Sequence, residues 1–413
     1  MCARRLLLTK LRPAEILALI AGILALAVEL RADVDVYLLD VPDYELFAGY
    51  CGTASGNLMG YWDRHGFPNF YTGPTANGIA PLNNYAGNVG IRSLWASRAG
   101  MDGMATDQYG HIDDYWAFYD PRTGGSYDST LPDPYLIAER PEHSPDCIGD
   151  FIGLSQRKWT NLNNECDGNI DGSAFVYWDS TGNRRNNFVP GSDAGVPARD
   201  VQSGLREWTQ WRGYDADVFT QLADINPTVA VGQGFTFTNL KAEIDSGYPV
   251  LLFLQPTNQF HRVKGTGDNV MSNANPTTVC MLAYGYYISD DGIQYARLRD
   301  SRATPEVFNE WTSGNWQASD PPLRGVIAYH PKPKITSFVR TNSSLTLAWQ
   351  GPAPELYSSV AGLRTGLHHY VIERTPSLDQ PFTQIGAITT NRSMTLTDCC
   401  NDSGFFRIRM LTP

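Results

Sequence analysis

The chain has 413 residues, of which 42% are hydrophobic and only 18% are charged, so it can bury the cores of two or three domains, and wholesale disorder is excluded. Its 38 glycines, 26 prolines and 12% aromatic residues favour a loop-rich globule with much β structure over a helical bundle or coiled coil. The formal net charge of −11 disfavours nucleic acid and anionic lipid as partners, because an acidic surface repels phosphate groups.

Residues 1–32 have the pattern of a secretory signal peptide. Arg4 and Arg5 precede an apolar run from Ile16 to Val28, which is too short to cross a bilayer core of about 30 Å as a helix. We therefore predict a secreted or extracytoplasmic protein, cleaved after Ala27 or after Ala32, with no other contact with a membrane. The alternative is an uncleaved anchor.

Short helices and strands are predicted for residues 33–330. A strand over Val34–Leu39 is followed by a helix over Thr53–Trp62, which stops at Asp63–Gly66. The later elements are helices over Leu205–Tyr214 and Leu240–Ser246, a strand over Val250–Leu254, and a hairpin made of Met281–Ile288 and Gln294–Arg299. Helices first and antiparallel strands later predict the α+β class for this region.

The composition changes at Pro331–Lys334, which we interpret as a linker. Short alternating strands follow over Ile335–Val339, Leu345–Trp349, Tyr370–Arg374, Met394–Thr397 and Phe405–Met410. This spacing, with an inward-facing Trp349, predicts a small C-terminal β-sandwich over residues 331–413. The tail resembles a fibronectin-type-III-like module of secreted bacterial proteins, through the segments that begin at Ile335, Leu347, Tyr370 and Phe405.

Export also determines how the cysteines are interpreted. Apart from Cys2 in the signal there are six, Cys51, Cys147, Cys166, Cys280, Cys399 and Cys400, and the sequence cannot choose among their possible pairings. A bridge between Cys147 and Cys166 is plausible across the Gly/Asn-rich stretch between them. A bond within Cys399–Cys400 would be strained. The chain has no Cys-x-x-Cys pair, so a structural zinc site is not expected.

Cys51 lies just ahead of the first predicted helix, where the positive end of the helix dipole stabilises a thiolate. A structural role is the alternative. The segment Gly49–Gly66 resembles the nucleophile helix of papain-fold cysteine peptidases, in particular the bacteriocin-processing-peptidase-like branch and its large secreted bacterial relatives. Three further stretches support the resemblance, Gly110–Trp116, Glu142–Phe151 and Lys241–Val250. It implies a papain-like α+β domain over residues 33–330 and a peptide or protein as substrate or ligand.

The catalytic set implied by the resemblance is altered in this chain. Counting back from Thr53 places the family's nucleophile at Tyr50, one residue before Cys51. Counting back from Gly285–Tyr286 places the family's histidine at Val279, which cannot accept a proton, and the orienting residue falls on Asp300. Residues 40–49 contain no Gln or Asn to serve the oxyanion hole.

Another histidine would have to replace the missing base. His261 is the best candidate, and His111 and His143 are others; solvated or structural roles are the alternative. Loss of the base forfeits roughly 10²–10⁴-fold in rate. We therefore predict a protein whose catalytic dyad is degenerate and which binds peptide or another polymer in the cleft where the peptidase family binds its substrate. A second hypothesis is an active peptidase using Cys51, His261 and Asp300, and a third is an extracellular structural or adhesion protein.

One segment matches the first half of a calcium loop. Asp167, Asn169 and Asp171 alternate as the oxygen ligands of such loops do, but Trp178 stands where the closing glutamate belongs. A turn rich in Asn, Asp and Gly is the alternative interpretation. Calcium is therefore a possible ligand, no cofactor is required, and the sequence does not indicate the oligomeric state.

Overall fold

The computed structural model describes residues 33–44, 50–70, 79–83, 148–152, 176–190, 199–225, 229–254, 260–262, 269–271, 279–299, 307–311, 323–341, 344–352, 355–363, 368–397 and 403–411. The signal segment, Asp300, the proposed calcium ligands Asp167, Asn169 and Asp171, and the histidines His111 and His143 lie outside these residues, as do all the cysteines except Cys51 and Cys280.

Helices within these ranges are α1 (Tyr50–Arg64), α2 (Ile148–Ile152), α3 (Val201–Trp211) and α4 (Phe237–Asp245). The strands up to residue 331 are β1 (Val34–Leu38), β2 (Val176–Trp178), β3 (Arg185–Asn186), β4 (Ala216–Leu222), β5 (Val250–Leu254), β6 (Phe260–Arg262), β7 (Asn269–Met271), β8 (Val279–Ile288), β9 (Gln294–Arg299), β10 (Val307–Trp311) and β11 (Leu323–Pro331). The tail adds β12 (Lys334–Arg340), β13 (Ser344–Gln350), β14 (Leu356–Ser358), β15 (His369–Thr375), β16 (Thr383–Thr389), β17 (Ser393–Thr397) and β18 (Phe405–Leu411).

A nine-stranded antiparallel sheet is the centre of the structure. Seven of its strands follow the order β10-β9-β8-β5-β11-β4-β3, and β1 pairs with both β8 and β14. The long strand β8 pairs with β5 over its first half and with β1 over its second half. Its side chains therefore lie in the middle of the hydrophobic core.

A second sheet of three short strands has the order β2-β7-β6. Trp178 on β2 is fully buried, and its ring lies edge-on to Phe253 of β5 with the ring centroids 5.8 Å apart. This contact stacks the small sheet against the large one.

Two further three-stranded sheets form in the tail, β12-β13-β17 and β16-β15-β18. They share a cluster of buried side chains that includes Leu347, Trp349 and Ile372. The predicted strands of the tail are present, whereas its identity as a fibronectin-type-III-like module stays a prediction. The short strand β14, which the sequence did not predict, is not part of this cluster. It pairs with β1 of the large sheet.

Local signals explain where the helices begin and end. Asp200 is the N-cap of helix α3, and its carboxylate accepts a hydrogen bond from the Ser203 amide at 2.8 Å. Thr236 is the N-cap of helix α4, and its hydroxyl oxygen accepts a hydrogen bond from the Asn239 amide at 3.2 Å. The predicted stop at Gly66 is observed as well, and its φ of 109° lies in the left-handed region that favours glycine.

The expected papain-like α+β fold class is wrong. The described residues are 45% strand and 19% helix, the sheets are mostly antiparallel, and helices pack little against one another. The helical patterns correctly indicated α1, α3 and α4, but most of the buried hydrophobic side chains lie on strands. The clear helical patterns of these three elements therefore led the sequence analysis to overestimate the helical part of the fold. None of the helices within the described residues is long and apolar enough to cross a membrane.

Candidate functional site

Helix α1 carries Cys51 in its first turn and is buried along almost its whole length. Cys51 is 2% exposed, and a run of small side chains follows it from Gly52 to Gly56. Small side chains allow the helix to lie close to the strand beneath it, and α1 packs against β8. Cys51 is therefore part of the helix and faces the core, rather than preceding the helix as the sequence predicted.

The partner of Cys51 is a second cysteine. Cys280, the second residue of β8, is 1% exposed and lies opposite Phe253 on β5. Its thiol is in hydrogen-bond contact with the Cys51 thiol, and neither residue is in a disulfide. Burial raises the pKa of Cys280 well above its ordinary value, and the hydrogen bond and electrostatic coupling to the neighbouring Cys51 thiol raise it further. Cys51 and Cys280 together are called the thiol pair below.

The sequence missed Cys280 as a site residue. It lies next to Val279, the position that the family resemblance assigns to the histidine, and Val279 itself begins β8 and pairs with Leu254. Tyr50, the position assigned to the nucleophile, is the first residue of α1. The two family positions are thus each adjacent in sequence to one member of the thiol pair.

No protein-family model, curated protein or solved structure matches this chain. The resemblance to cysteine peptidases therefore depends on the sequence segments alone and stays a prediction.

Among the described histidine side chains, none lies near the thiol pair. His65 follows the end of α1, about 21 Å along the helix from Cys51 at ~1.5 Å per residue. His330 lies on β11 beyond Gly325, which is opposite Phe253, and this register places it roughly 19 Å from Cys280. His368 is beside Tyr248, next to His330.

His261 belongs to a different sheet. It lies on β6, the outer strand of the order β2-β7-β6, and its register partner is Val270 on β7. Its side chain lies outside the described residues, as does Asp300, the proposed orienting group. The roles of both in a catalytic site stay predictions.

A small cleft lies between the end of β1, the residues that follow it, and strands β8 and β9. It has a volume of about 190 Å³, and its walls include the rings of Tyr37 and Tyr284 and the guanidinium of Arg299. Arg299 lies 4.6 Å from the centroid of the Tyr284 ring and 3.8 Å from a carboxylate oxygen of Asp43. The amide of Tyr44, in the segment that forms one wall, donates a hydrogen bond to Asn57 of α1 at 2.9 Å.

The size of this cleft limits what it can hold. Pockets for whole drug-sized ligands measure about 300–1,000 Å³, so a cleft of about 190 Å³ suits one side chain or one residue of a longer chain. Tyrosine rings beside an arginine offer stacking surfaces together with hydrogen-bond donors and acceptors.

No three or more His, Cys, Asp or Glu side chains are placed to hold a metal ion in the part of the chain that the structure describes. The possible calcium site at Asp167, Asn169 and Asp171 falls outside that part and stays a prediction.

Proposed function

We propose that this protein acts by binding and not by catalysis. It is a secreted protein, related through its Cys51 segment to cysteine peptidases, and its ligand is a peptide or another extracellular polymer. The observation that carries the proposal is the burial of Cys51 against a second thiol.

Peptide hydrolysis by cysteine needs an accessible thiolate and a base in hydrogen-bond reach. The Cys51 side chain is 2% exposed, and Cys280 keeps its proton because burial raises the pKa of its thiol. A thiol pair supplies no group that works as an efficient base near neutral pH. The rate therefore loses the roughly 10²–10⁴-fold contribution of general acid–base catalysis.

The cleft at Tyr37, Tyr284 and Arg299 is the part of the described surface to which we assign the ligand. It can take one residue of a polymer, and the remainder would extend over the neighbouring surface. The negative net charge of −11 favours neutral or basic segments over acidic ones.

The catalytic side of the proposal is tested with the chain that begins at Asp33. The chain is incubated with a peptidyl chloromethyl ketone and, separately, with fluorescent casein. With both cysteines reduced beforehand, we expect Cys51 to be labelled at least 100-fold more slowly in the native protein than in urea, because its side chain is buried, and we expect no cleavage of casein. Rapid labelling of the native protein that disappears in Cys51→Ser, together with cleavage, would overturn the proposal in favour of an active peptidase.

The binding side uses a fluorescent tryptic digest of casein and its polarisation as the readout. Arg299→Ala should weaken binding about tenfold, because a charged hydrogen-bonding group is worth roughly 1.5–3 kcal/mol. Arg199→Ala is the matched control, since Arg199 pairs with Glu207 at the surface, away from the cleft. Equal binding by both variants would exclude the cleft as the site, and no binding by the wild-type protein would favour a structural role.

A further inference from the structure

The proposed binding function does not explain why the two thiols of the pair lie in contact with each other in the core. Two cysteines that are far apart in the sequence meet in the core, one in the first turn of α1 and the other near the start of β8. Both side chains are almost fully buried, and their thiols touch each other. Buried cysteines that serve only as apolar fillers do not need one another as neighbours.

We propose that Cys51 and Cys280 form a disulfide that ties α1 to β8 in the exported protein. The structure shows the pair in its reduced form, with both sulfurs in hydrogen-bond contact. Closing the bond requires the sulfurs to approach to about 2.05 Å, and their two elements are already packed against each other. The inference depends on this contact and does not rest on the proposed binding function.

The bond forms by thiol–disulfide exchange with a disulfide oxidant, either a protein disulfide or oxidised glutathione. One cysteine of the pair, as its thiolate, attacks a sulfur of the oxidant and releases one thiol. The other cysteine then attacks the resulting mixed disulfide, releases the second thiol and completes the bond. Two electrons and two protons pass from the pair to the oxidant, which leaves as two thiols.

The bond would stabilise the fold more than most disulfides because of the length of the loop that it closes. About 230 residues separate the two cysteines, and the constraint on the unfolded chain grows with loop length. Those residues include β2 to β7 and helices α2 to α4. The disulfide would also occupy Cys51 permanently, so a protein that contains it would have no nucleophile at this position.

Non-reducing peptide mapping tests the proposal directly. The full chain is refolded with oxidised glutathione, unfolded in the presence of an alkylating reagent, and digested with trypsin. Cleavage after Arg31, Arg64, Lys264 and Arg297 leaves Cys51 in the peptide 32–64 and Cys280 in the peptide 265–297, each as its only cysteine. We expect these two peptides to be linked and to separate on reduction.

Two observations would overturn the proposal. One is recovery of Cys51 and Cys280 as alkylated thiols, and the other is a link from either of them to Cys147, Cys166, Cys399 or Cys400. The mapping uses the wild-type chain, so it does not depend on a variant that folds.

The variants Cys51→Ser and Cys280→Ser provide a second measurement. Each should lower the thermal midpoint of the oxidised protein by on the order of 5 °C, and the double variant should lower it no further than the larger single effect. Additive losses would contradict a shared bond. Cleavage of casein by the reduced protein would disprove the binding function and leave the disulfide standing, so the two proposals fail separately.

Discussion

His368 is a buried histidine whose charged form is strongly disfavoured. It is 2% exposed, and neither of its ring nitrogens makes a hydrogen bond within the described part of the chain. Burial, together with the charges of His330 and His369, lowers the pKa of His368 to about 4. Its ring lies near Tyr248, whose ring stacks on His330 at 4.2 Å between centroids. His330 in turn contacts Glu243 at 2.6 Å.

The stability of the protein should therefore depend on pH through His368. The folded state binds this proton less readily than the unfolded chain, so the contribution of neutral His368 is complete above about pH 6.5 and is lost as the pH falls towards 4. Between pH 7 and pH 4.5 the free energy of unfolding of the wild-type protein should decrease by roughly 2–3 kcal/mol more than that of His368→Phe. Urea unfolding at the two pH values measures the difference.

Comparing the two proteins is necessary because other groups titrate in the same range with the opposite sign. Burial raises the pKa of Asp200 to about 6, so its protonation favours the folded state as the pH falls. That contribution is common to both proteins and cancels. His369→Phe, at an exposed neighbour whose charge contributes less to the shift than burial does, is the control that should stay much closer to the wild type than His368→Phe. Parallel pH dependences for the wild type and His368→Phe would contradict the prediction.

Among the helices and strands, the sequence predicted best those in which a regular hydrophobic pattern is followed by a glycine or another turn-forming residue. Strand β5 was predicted with its observed bounds, and the hairpin of β8 and β9 was predicted within two residues. Helices α3 and α4 are followed by Gly213 and Gly247, with φ values of 83° and 84°. Strands of two or three residues, such as β3 and β14, have too few residues for an alternating pattern, and they were missed.

Gly285 shows how closely β1 approaches β8. It lies opposite Tyr37, and a Cβ atom at this position would come within 2.6 Å of both the Val36 carbonyl oxygen and the Tyr37 Cβ atom. These are atoms of the backbone and of a fixed Cβ, so the two strands would have to separate. We predict that Gly285→Ala lowers the free energy of unfolding by about 2–3 kcal/mol, as overpacking does elsewhere.

Gly232→Ala is the comparison for Gly285→Ala. Gly232 has a φ of 82° but no atom within 4 Å of its missing Cβ, so only backbone strain of about 1 kcal/mol is expected. Urea unfolding should rank Gly285→Ala as clearly more destabilising. An equal or smaller effect at Gly285 would show that β1 can move away from β8 at little cost.

For the molecule as a whole, the tail and the rest of the chain share contacts that join their cores. Strand β14 from the tail pairs with β1, and Met410 packs against both hydrophobic clusters. The Tyr214 hydroxyl lies 2.8 Å from the side-chain oxygen of Gln350. The domain boundary between residues 330 and 331 stays a prediction, but these contacts indicate that the two parts stabilise each other.

We therefore predict a single cooperative unfolding transition for the chain. Trp349→Ala, which empties a buried position in the tail cluster, should destabilise the protein by about 3–5 kcal/mol and shift the whole transition to lower temperature. Trp211→Ala, at a side chain that is 50% exposed, should shift it much less. Scanning calorimetry makes the measurement. Two transitions, of which Trp349→Ala moves only one, would show that the parts unfold independently.

The thiol pair shows what sequence reasoning could not supply at this scale. Cys51 was selected because it precedes a helical pattern, yet its partner is set by how α1 packs on β8. Six cysteines can pair in many ways, and no local spacing favours Cys51 with Cys280. Only the packing of α1 on β8, which are far apart in the sequence, brings these two residues together.

The position of β1 also determines the order in which the chain can fold. Strand β1 is the first of the described strands, but its neighbours β8 and β14 begin at residues 279 and 356. During synthesis it leaves the ribosome long before any strand exists with which it can pair. Contacts so distant in sequence make folding slow, since the ends of a long loop must meet first. The central sheet is therefore completed only when most of the chain has been made, and until then an apolar strand remains exposed to chaperones and to aggregation.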